Sequence, residues 1–243
     1  GQAANHLGAD LVVTAHQADD AVETALLNLT RGTGLDGLTS LAPTTSDAAT
    51  QTTAPIAGWS GPPLVRPMLG VPRDTLESYT DRRGLEWVDD PTNVSDDFAR
   101  NRLRREVMPA LVDEAGGLEP MLRTLRNLRA DAEVVSEQID RAFDDALDGR
   151  PNWSALAFST AKLAAAKPAV VTGILRRAAT ELPGGIRWSE TTLAESRRAV
   201  ADVHTGGAPE RILPGGGALT VEPASTTLEV SHTRGARDLQ KRR

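Results

Sequence analysis

The apolar and polar positions of the first 115 residues predict short strands alternating with helices. A brief apolar run at 11–14 predicts a buried strand, and apolar residues at helical spacing predict a helix over 18–30. Residues 41–63 lack a period and predict a long loop, and 89–93 predict a turn. Further predicted elements are strands at 64–66 and 85–88, a helix from Pro72 to about Arg83 that Gly84 ends, and a helix over 97–112 with Leu103, Val107 and Leu111 on one face.

The second half of the chain has a mainly helical pattern. Apolar residues at spacings of three, four and seven predict a long amphipathic helix over 119–148. Helices are also predicted at 168–182 and 189–203, and short antiparallel strands at 211–213, 218–221 and 227–230. We therefore predict an α/β fold: a partial Rossmann-like parallel sheet over 1–115, divided at Gly116-Gly117 from a mostly helical domain with a small antiparallel β element over 116–243.

Composition limits the class of protein. The chain has 243 residues, of which 40% are hydrophobic, enough for a sizeable core. It has no cysteine, which excludes disulfides, thiolate metal sites and cysteine nucleophiles within this sequence. No apolar run approaches the roughly 20 residues of a membrane span, so we expect no membrane association and a cytoplasmic location.

The charge is unevenly distributed. The net charge of −6 does not favour a nucleic-acid binder, but arginines cluster at 100–105, 123–129 and 234–243. Lys162, Lys167 and Lys241 are the only lysines among 27 basic residues. Arginine suits bidentate phosphate contact and base stacking, although a GC-rich genome would also enrich it.

The segment from His16 to Glu23 is the first candidate site. His16 follows the predicted strand, and Asp19 and Asp20 begin the helix, with Glu23 on the same face as Asp20. Ligands of open α/β sheets bind at the carboxyl ends of strands, and an acidic pocket there suits an ammonium group, Mg²⁺ or proton transfer from an amine. The alternative is that the aspartates only cap the helix. A zinc site is not expected, because His16 and Asp20 are not part of a repeated metal-ligand pattern.

Two further segments contain groups that bind phosphate. Arg31 to Gly37 carries three glycines whose backbone N–H groups can approach an anion, but a helix cap with a tight turn explains it equally well. Arg100 and Arg104 share a helix face and can clamp a triphosphate or an RNA backbone. The alternative is a solvated basic face paired with Asp96, Asp97 and Glu106. We expect Trp87 to be a core aromatic rather than a base-stacking platform.

The order of these motifs resembles that of the tRNA(Ile)-lysidine synthetases, members of the PP-loop ATP-pyrophosphatase group. The resemblance spans about residues 8–112 and is looser for 119–243. It rests on His16, Asp19-Asp20, Glu23-Thr24, Arg31 to Gly37, Arg66-Pro67-Met68, Trp87 to Asn93, and Arg100 to Arg104 with Pro109. The family's Ser-Gly-Gly-x-Asp-Ser signature would precede residue 1, so we expect an N-terminally incomplete chain that is inactive alone.

The resemblance implies a PP-loop type of sheet and a two-step reaction. ATP adenylates the C2 oxygen of the wobble cytidine of tRNA(Ile) with a CAU anticodon and releases pyrophosphate. The ε-amine of free L-lysine then attacks C2 and expels AMP, with Mg²⁺ as cofactor. The implied catalytic residues are His16, Asp20 and Glu23, with Asp20 a candidate Mg²⁺ ligand. The implied substrate- or phosphate-binding residues are Asp19, Arg31, Gly32, Gly34, Arg100, Asn101 and Arg104. Local positive charge adds Arg123, Arg126 and Arg129 as RNA contacts.

Two other functions remain open. A tRNA 2-thiolation enzyme shares the His-x-x-Asp-Asp pattern, but those relatives use cysteines, and this chain has none. A non-catalytic RNA-binding remnant of the same fold is the other alternative. The sequence leaves open whether the protein forms a homodimer.

Overall fold

The computed structural model describes residues 2–43, 62–88, 99–182 and 186–230. The chain divides into two compact units, Gly1–Val134 and Val135–Arg243. Most of the predicted loop at 41–63, the predicted turn at 89–93 and the arginine cluster at 234–243 lie outside the described residues. The predicted domain boundary at Gly116-Gly117 stays a prediction, because the division into compact units falls later in the chain.

The first unit contains the predicted parallel strand pair and its helices. Val12 pairs with Leu64 and Val13 with Val65 in parallel register, which confirms an α/β arrangement. The elements are α1 Gln2–His6, β1 Val12–Val13, α2 Ala18–Thr30, α3 Leu35–Leu38, β2 Leu64–Val65, α4 Arg73–Arg83, α5 Ala99–Arg102, a π-helical turn Leu103–Val107, and α6 Met108–Glu114.

The predicted helix over 97–112 contains a π-helical turn that changes which residues face the core. The Met108 N–H donates to the Leu103 carbonyl, five residues earlier. Pro109 has no N–H to continue the α-helical pattern. Leu103 and Met108 are therefore buried, whereas Val107 and Leu111 are exposed. The prediction of one face through Leu103, Val107 and Leu111 was wrong for this reason.

Two other predictions about burial were wrong. Val13 is 59% exposed, so the predicted strand at 11–14 forms but is not buried. Residues 85–88 form no strand, and Trp87 is 56% exposed rather than a core aromatic. Without pairing, this apolar run has no sheet face to pack against.

The second unit is built on an antiparallel sheet that the sequence predicted only in part. Helix α7, Glu119–Ala146, runs from the first unit into the second. The elements that follow are β3 Leu147–Asn152, β4 Ala155–Ser159, α8 Thr160–Ala165, α9 Pro168–Glu181, α10 Glu190–His204, β5 Glu210–Ile212, β6 Gly217–Val221 and β7 Ser225–Val230. The five strands are arranged in the order β3-β4-β7-β6-β5.

This sheet and its helices enclose the larger hydrophobic core of the chain. Phe143 and Phe158 are both almost fully buried, and their rings meet edge to face with centroids 5.3 Å apart. Strand β3 was missed because its sequence, LDGRPN, has low β-propensity. It pairs with β4, whose buried apolar residues anchor it to the core.

Candidate active site

The acidic start of α2 is partly occupied by capping interactions. The Asp20 carboxylate accepts the Gln17 N–H at 3.0 Å, and the Gln17 side chain accepts the Asp19 N–H, which together form a capping box. Asp19 accepts the N–H of Arg73 at 2.9 Å. Asp19 thus caps helix α4, because Pro72 at the cap position has no side-chain acceptor of its own. Both aspartates have structural partners.

Glu23 is the centre of an ion-pair cluster. Its side chain is 1% exposed. Arg100 Nε donates to Glu23 Oε2 at 2.8 Å, and Arg104 donates through Nε to Oε1 at 2.6 Å and through Nη2 to Oε2 at 2.8 Å. Arg100 also donates to Asp20 Oδ1 at 2.9 Å. We call these four residues, Asp20, Glu23, Arg100 and Arg104, the ion-pair cluster.

The electrostatics of the cluster follow from this pairing. Burial by itself would raise the pKa of Glu23, but the hydrogen bonds and charges of Arg104 and Arg100 outweigh it and hold that pKa below its ordinary value. The hydrogen bond to Glu23 raises the pKa of Arg104, against the opposing effect of burial. Two carboxylates and two guanidinium groups cancel in charge, so the cluster is not an open acidic pocket.

Within the described ranges, the two guanidinium groups retain unused donors. Arg100 is 38% exposed and Arg104 is 28% exposed, whereas Glu23 lies beneath them. Among the described residues, neither Nη1 group makes a hydrogen bond. The buried carboxylate fixes the orientation of two forked cations, an arrangement suited to a phosphate group.

His16 makes its hydrogen bond outside this cluster. Its Nδ1 lies 2.8 Å from Thr14 Oγ1. Within the described residues, no hydrogen bond or ion pair joins the imidazole to Asp20 or Glu23. Hydrogen bonds among the described residues therefore join the predicted acidic and basic residues, but do not include the predicted histidine.

The glycine-rich segment after α2 has a structural explanation. Arg31 caps α2 and is exposed, and Gly32 takes a positive φ of 71°. The N–H groups of Gly32 and Gly37 donate to Leu29 and Gly34 carbonyls, so they are not available to an anion. Gly34 caps the single turn of α3. The alternative interpretation as a helix cap and tight turn is supported here.

The three arginines predicted to contact RNA have different environments. Arg123 is exposed, and Arg126 forms an ion pair with Glu119. Arg129 instead reaches inward, and its Nη2 donates to the Leu41 carbonyl at 3.0 Å. Arg129 therefore does not project into solvent as a backbone contact would.

No magnesium site is formed at Asp20 by the part of the chain that the structure describes. Both of its carboxylate oxygens already accept hydrogen bonds. Nor do three or more His, Asp or Glu side chains gather within the described residues in a way that could hold a metal. Asn101, the remaining predicted residue, lies in α5 and is half-buried.

The burial of Arg66 was not predicted from the sequence. Arg66 is 5% exposed, and it lines a cavity of the first unit together with Arg129, which was predicted only as an RNA contact. Arg66 was noted only as part of a motif, and a single arginine in a motif gives no sign that its side chain is buried.

Comparison with known proteins supports this description of the first unit. Residues 1–111 match the family model described as the PP-loop domain. Its parallel strand pair with flanking helices agrees with a Rossmann-like α/β domain.

The chain is also similar to proteins named tRNA(Ile)-lysidine synthase. One from Pseudomonas aeruginosa is 38% identical over 128 residues, which cover 52% of this chain and 26% of the relative. One from Ralstonia nicotianae is 34% identical over 212 residues, covering 86% and 41%, and one from Vibrio campbellii is 32% identical over 192 residues, covering 76% and 40%. The resemblance expected from the motifs is confirmed, and the chain spans less than half the length of these relatives. Among the described residues, no helix combines the length and the apolar character needed to cross a membrane.

Proposed function

We propose that this chain contributes to an ATP-dependent ligase that joins lysine to C2 of the wobble cytidine of tRNA(Ile) with a CAU anticodon. The relatives that carry the name tRNA(Ile)-lysidine synthase support this substrate class, and the PP-loop domain supports the use of ATP. The observation that carries the proposal within the molecule is the ion-pair cluster, which orients two guanidinium groups at the start of α2.

Arg100 and Arg104 are the residues that contact phosphate in this proposal. ATP transfers its adenylyl group to the C2 oxygen of the cytidine and releases pyrophosphate, so that AMP can leave when the lysine amine attacks C2. Negative charge builds on the transferring phosphate during the first step, and fixed guanidinium donors stabilise such charge without having to reorganise. The phosphate belongs either to the nucleotide or to the RNA beside it.

Glu23 is a positioning residue rather than a proton acceptor. Both of its oxygens are occupied by the two arginines, and its lowered pKa disfavours protonation. Asp20 is the more accessible carboxylate, with 16% of its side chain exposed. We assign to Asp20 the attraction of the lysine ammonium, which must lose a proton before its nitrogen attacks. His16 would contact the nucleotide or the cytosine.

Mg²⁺ enters no step of this mechanism. Both oxygens of the Asp20 carboxylate accept hydrogen bonds, and no group of three or more His, Asp or Glu side chains that could hold a metal is found among the described residues.

The test is a chimera in which this chain replaces the matching 212-residue segment of the Ralstonia nicotianae relative. We expect release of pyrophosphate that requires both lysine and tRNA with a CAU anticodon. A folded chimera that releases none, beside an active parent, would contradict the proposal. Activity that required a sulfur donor instead of lysine would favour the 2-thiolation alternative, and tRNA binding without turnover would favour the non-catalytic remnant.

Variants of the chimera test the roles of individual residues. Glu23→Gln should lower kcat/KM for ATP by about 100-fold or more, because the guanidinium groups lose their alignment. Glu23→Asp, which keeps the charge, should recover part of that loss. Glu229→Gln removes an exposed carboxylate that pairs with Arg211 and should leave activity unchanged. Equal effects of Glu23→Gln and Glu229→Gln would refute the positioning role.

A further inference from the structure

A cavity of about 470 Å³ lies within the first unit, apart from the ion-pair cluster. Its apolar wall includes Val65 from β2 and Leu122 and Leu125 from α7. Arg66 and Arg129 line it as well. Ligand pockets typically have volumes of about 300–1,000 Å³ and combine a mainly apolar lining with a few polar groups, which this cavity matches.

The two arginines hold neighbouring parts of the backbone. Arg66 Nη1 donates to the Ala42 carbonyl at 2.7 Å, and Arg129 Nη2 donates to the carbonyl of the adjacent Leu41 at 3.0 Å. Both arginines thus hold consecutive residues of one backbone segment, and both line the same cavity. Two like charges are thereby placed at that cavity.

Each guanidinium has one buried donor without a partner in the part of the chain that the structure describes. Arg66 is only 5% exposed, and the buried Nε atoms of Arg66 and Arg129 have no hydrogen-bond partner among the described residues. Their protein partners are neutral carbonyls, and no ion pair to either guanidinium is found in the described ranges. A buried cation without an anionic partner is costly.

Burial disfavours the charged form of both guanidinium groups. Burial lowers the pKa of Arg66, and burial also lowers that of Arg129 against a smaller opposing effect of Glu133. The pKa of Arg104, which is hydrogen-bonded to Glu23, is instead raised. An anion in the cavity would supply the negative charge that the described residues do not.

We propose that this cavity binds a phosphate monoester through Arg66 and Arg129, with the apolar substituent of the ester against Val65, Leu122 and Leu125. A monoester carries a charge of roughly −1.5 to −2 at pH 7, which matches two guanidinium groups, and has three acceptor oxygens. The cavity volume far exceeds that of a phosphate group alone, so an organic substituent is needed to fill it. This site is independent of the proposed ligase activity and uses none of the residues assigned to it.

The experiment observes the two Nε–H groups directly by ¹⁵N NMR of the ¹⁵N-arginine-labelled chain at constant ionic strength. Phenyl phosphate is the probe. Inorganic phosphate and phenol are controls for its phosphate group and its aromatic group, and dimethyl phosphate is a control that represents the phosphodiester of a nucleic-acid backbone. We expect phenyl phosphate to shift both Nε–H resonances along one saturable curve, at least about tenfold more tightly than inorganic phosphate. Phenol and dimethyl phosphate should cause no saturable shift.

Variants assign the resonances and test the site. Arg66→Lys and Arg129→Lys each delete one Nε–H resonance, and Arg66→Met should weaken phenyl phosphate binding by about tenfold or more. Arg82→Gln, which changes an exposed arginine of α4, should bind like the wild type. If Arg66→Met fails to fold, the wild-type titration remains decisive. Absence of a saturable shift, equal binding of dimethyl phosphate, or unchanged binding by folded Arg66→Met would overturn the proposal.

Discussion

Two pairs of arginines in the first unit have opposite environments. Arg100 and Arg104 are partly exposed and bind a buried glutamate, whereas the acceptors of Arg66 and Arg129 among the described residues are backbone carbonyls. The pKa of Arg104 is raised and that of Arg66 is lowered. The comparison teaches that the partner, more than the depth of burial, decides whether a guanidinium is stabilised by the fold.

The largest expected effect comes from removing the shared carboxylate. Glu23→Ala leaves two guanidinium groups without their buried partner, and we expect the free energy of unfolding to fall by about 3–5 kcal/mol in urea denaturation. Glu229→Ala, in an exposed ion pair with Arg211, should cost at most about 1 kcal/mol. Similar losses for both variants would show that the buried carboxylate stabilises the fold no more than the exposed one.

The pH dependence of stability should reveal the same carboxylate. Because the pKa of Glu23 is lower in the folded state than its ordinary value of 4.5, its contribution is complete above that value and is lost as pH falls through the folded-state pKa. The difference in unfolding free energy between the wild type and Glu23→Gln should therefore shrink in acid. A constant difference from pH 7 to pH 3 would contradict the lowered pKa.

A smaller effect is expected at the cavity. Arg66→Met loses a hydrogen bond worth about 0.5–1.5 kcal/mol, but it also removes the cost of burying a cation without an anion. We expect the unfolding free energy in a buffer free of phosphate to change by no more than about 1 kcal/mol. A loss as large as that of Glu23→Ala would mean that Arg66 is already neutralised within the chain.

The smallest effect should come from Arg126→Gln. This arginine lines the same cavity, but it is half-exposed and pairs with Glu119 at the surface. Surface ion pairs contribute about 0–1 kcal/mol. Unfolding curves of Arg126→Gln and the wild type should nearly coincide, and a clear destabilisation would place Arg126 with the buried arginines.

Local sequence patterns predicted much of the fold. The helices α2, α4, α7, α9 and α10 were predicted because each has apolar residues at helical spacing or a clear cap, such as Gly84 with its φ of 61°. The failures occurred where packing overrides local preference. Strand β3 forms only because β4 lies beside it, and Met108 replaces Val107 in the core only because of the π-helical turn.

The candidate site was predicted as a set of residues but not as an arrangement. The sequence placed Asp20 with Glu23 and Arg100 with Arg104, and both pairs share a helix face as predicted. It also suggested separate acidic and phosphate-binding roles, whereas the structure joins the two pairs. The buried position of Arg66 could not be predicted, because nothing next to it in the sequence distinguishes an inward from an outward guanidinium.

The sequence by itself determined the helices, their caps and the chemical groups available to a site, since these depend on neighbours within a few residues. Only the tertiary structure decided which groups meet. Arg100 and Glu23 are 77 positions apart, and their contact depends on how α5 packs beside α2. Charge pairing acts over a few ångströms in space, so it is determined by packing rather than by position along the chain.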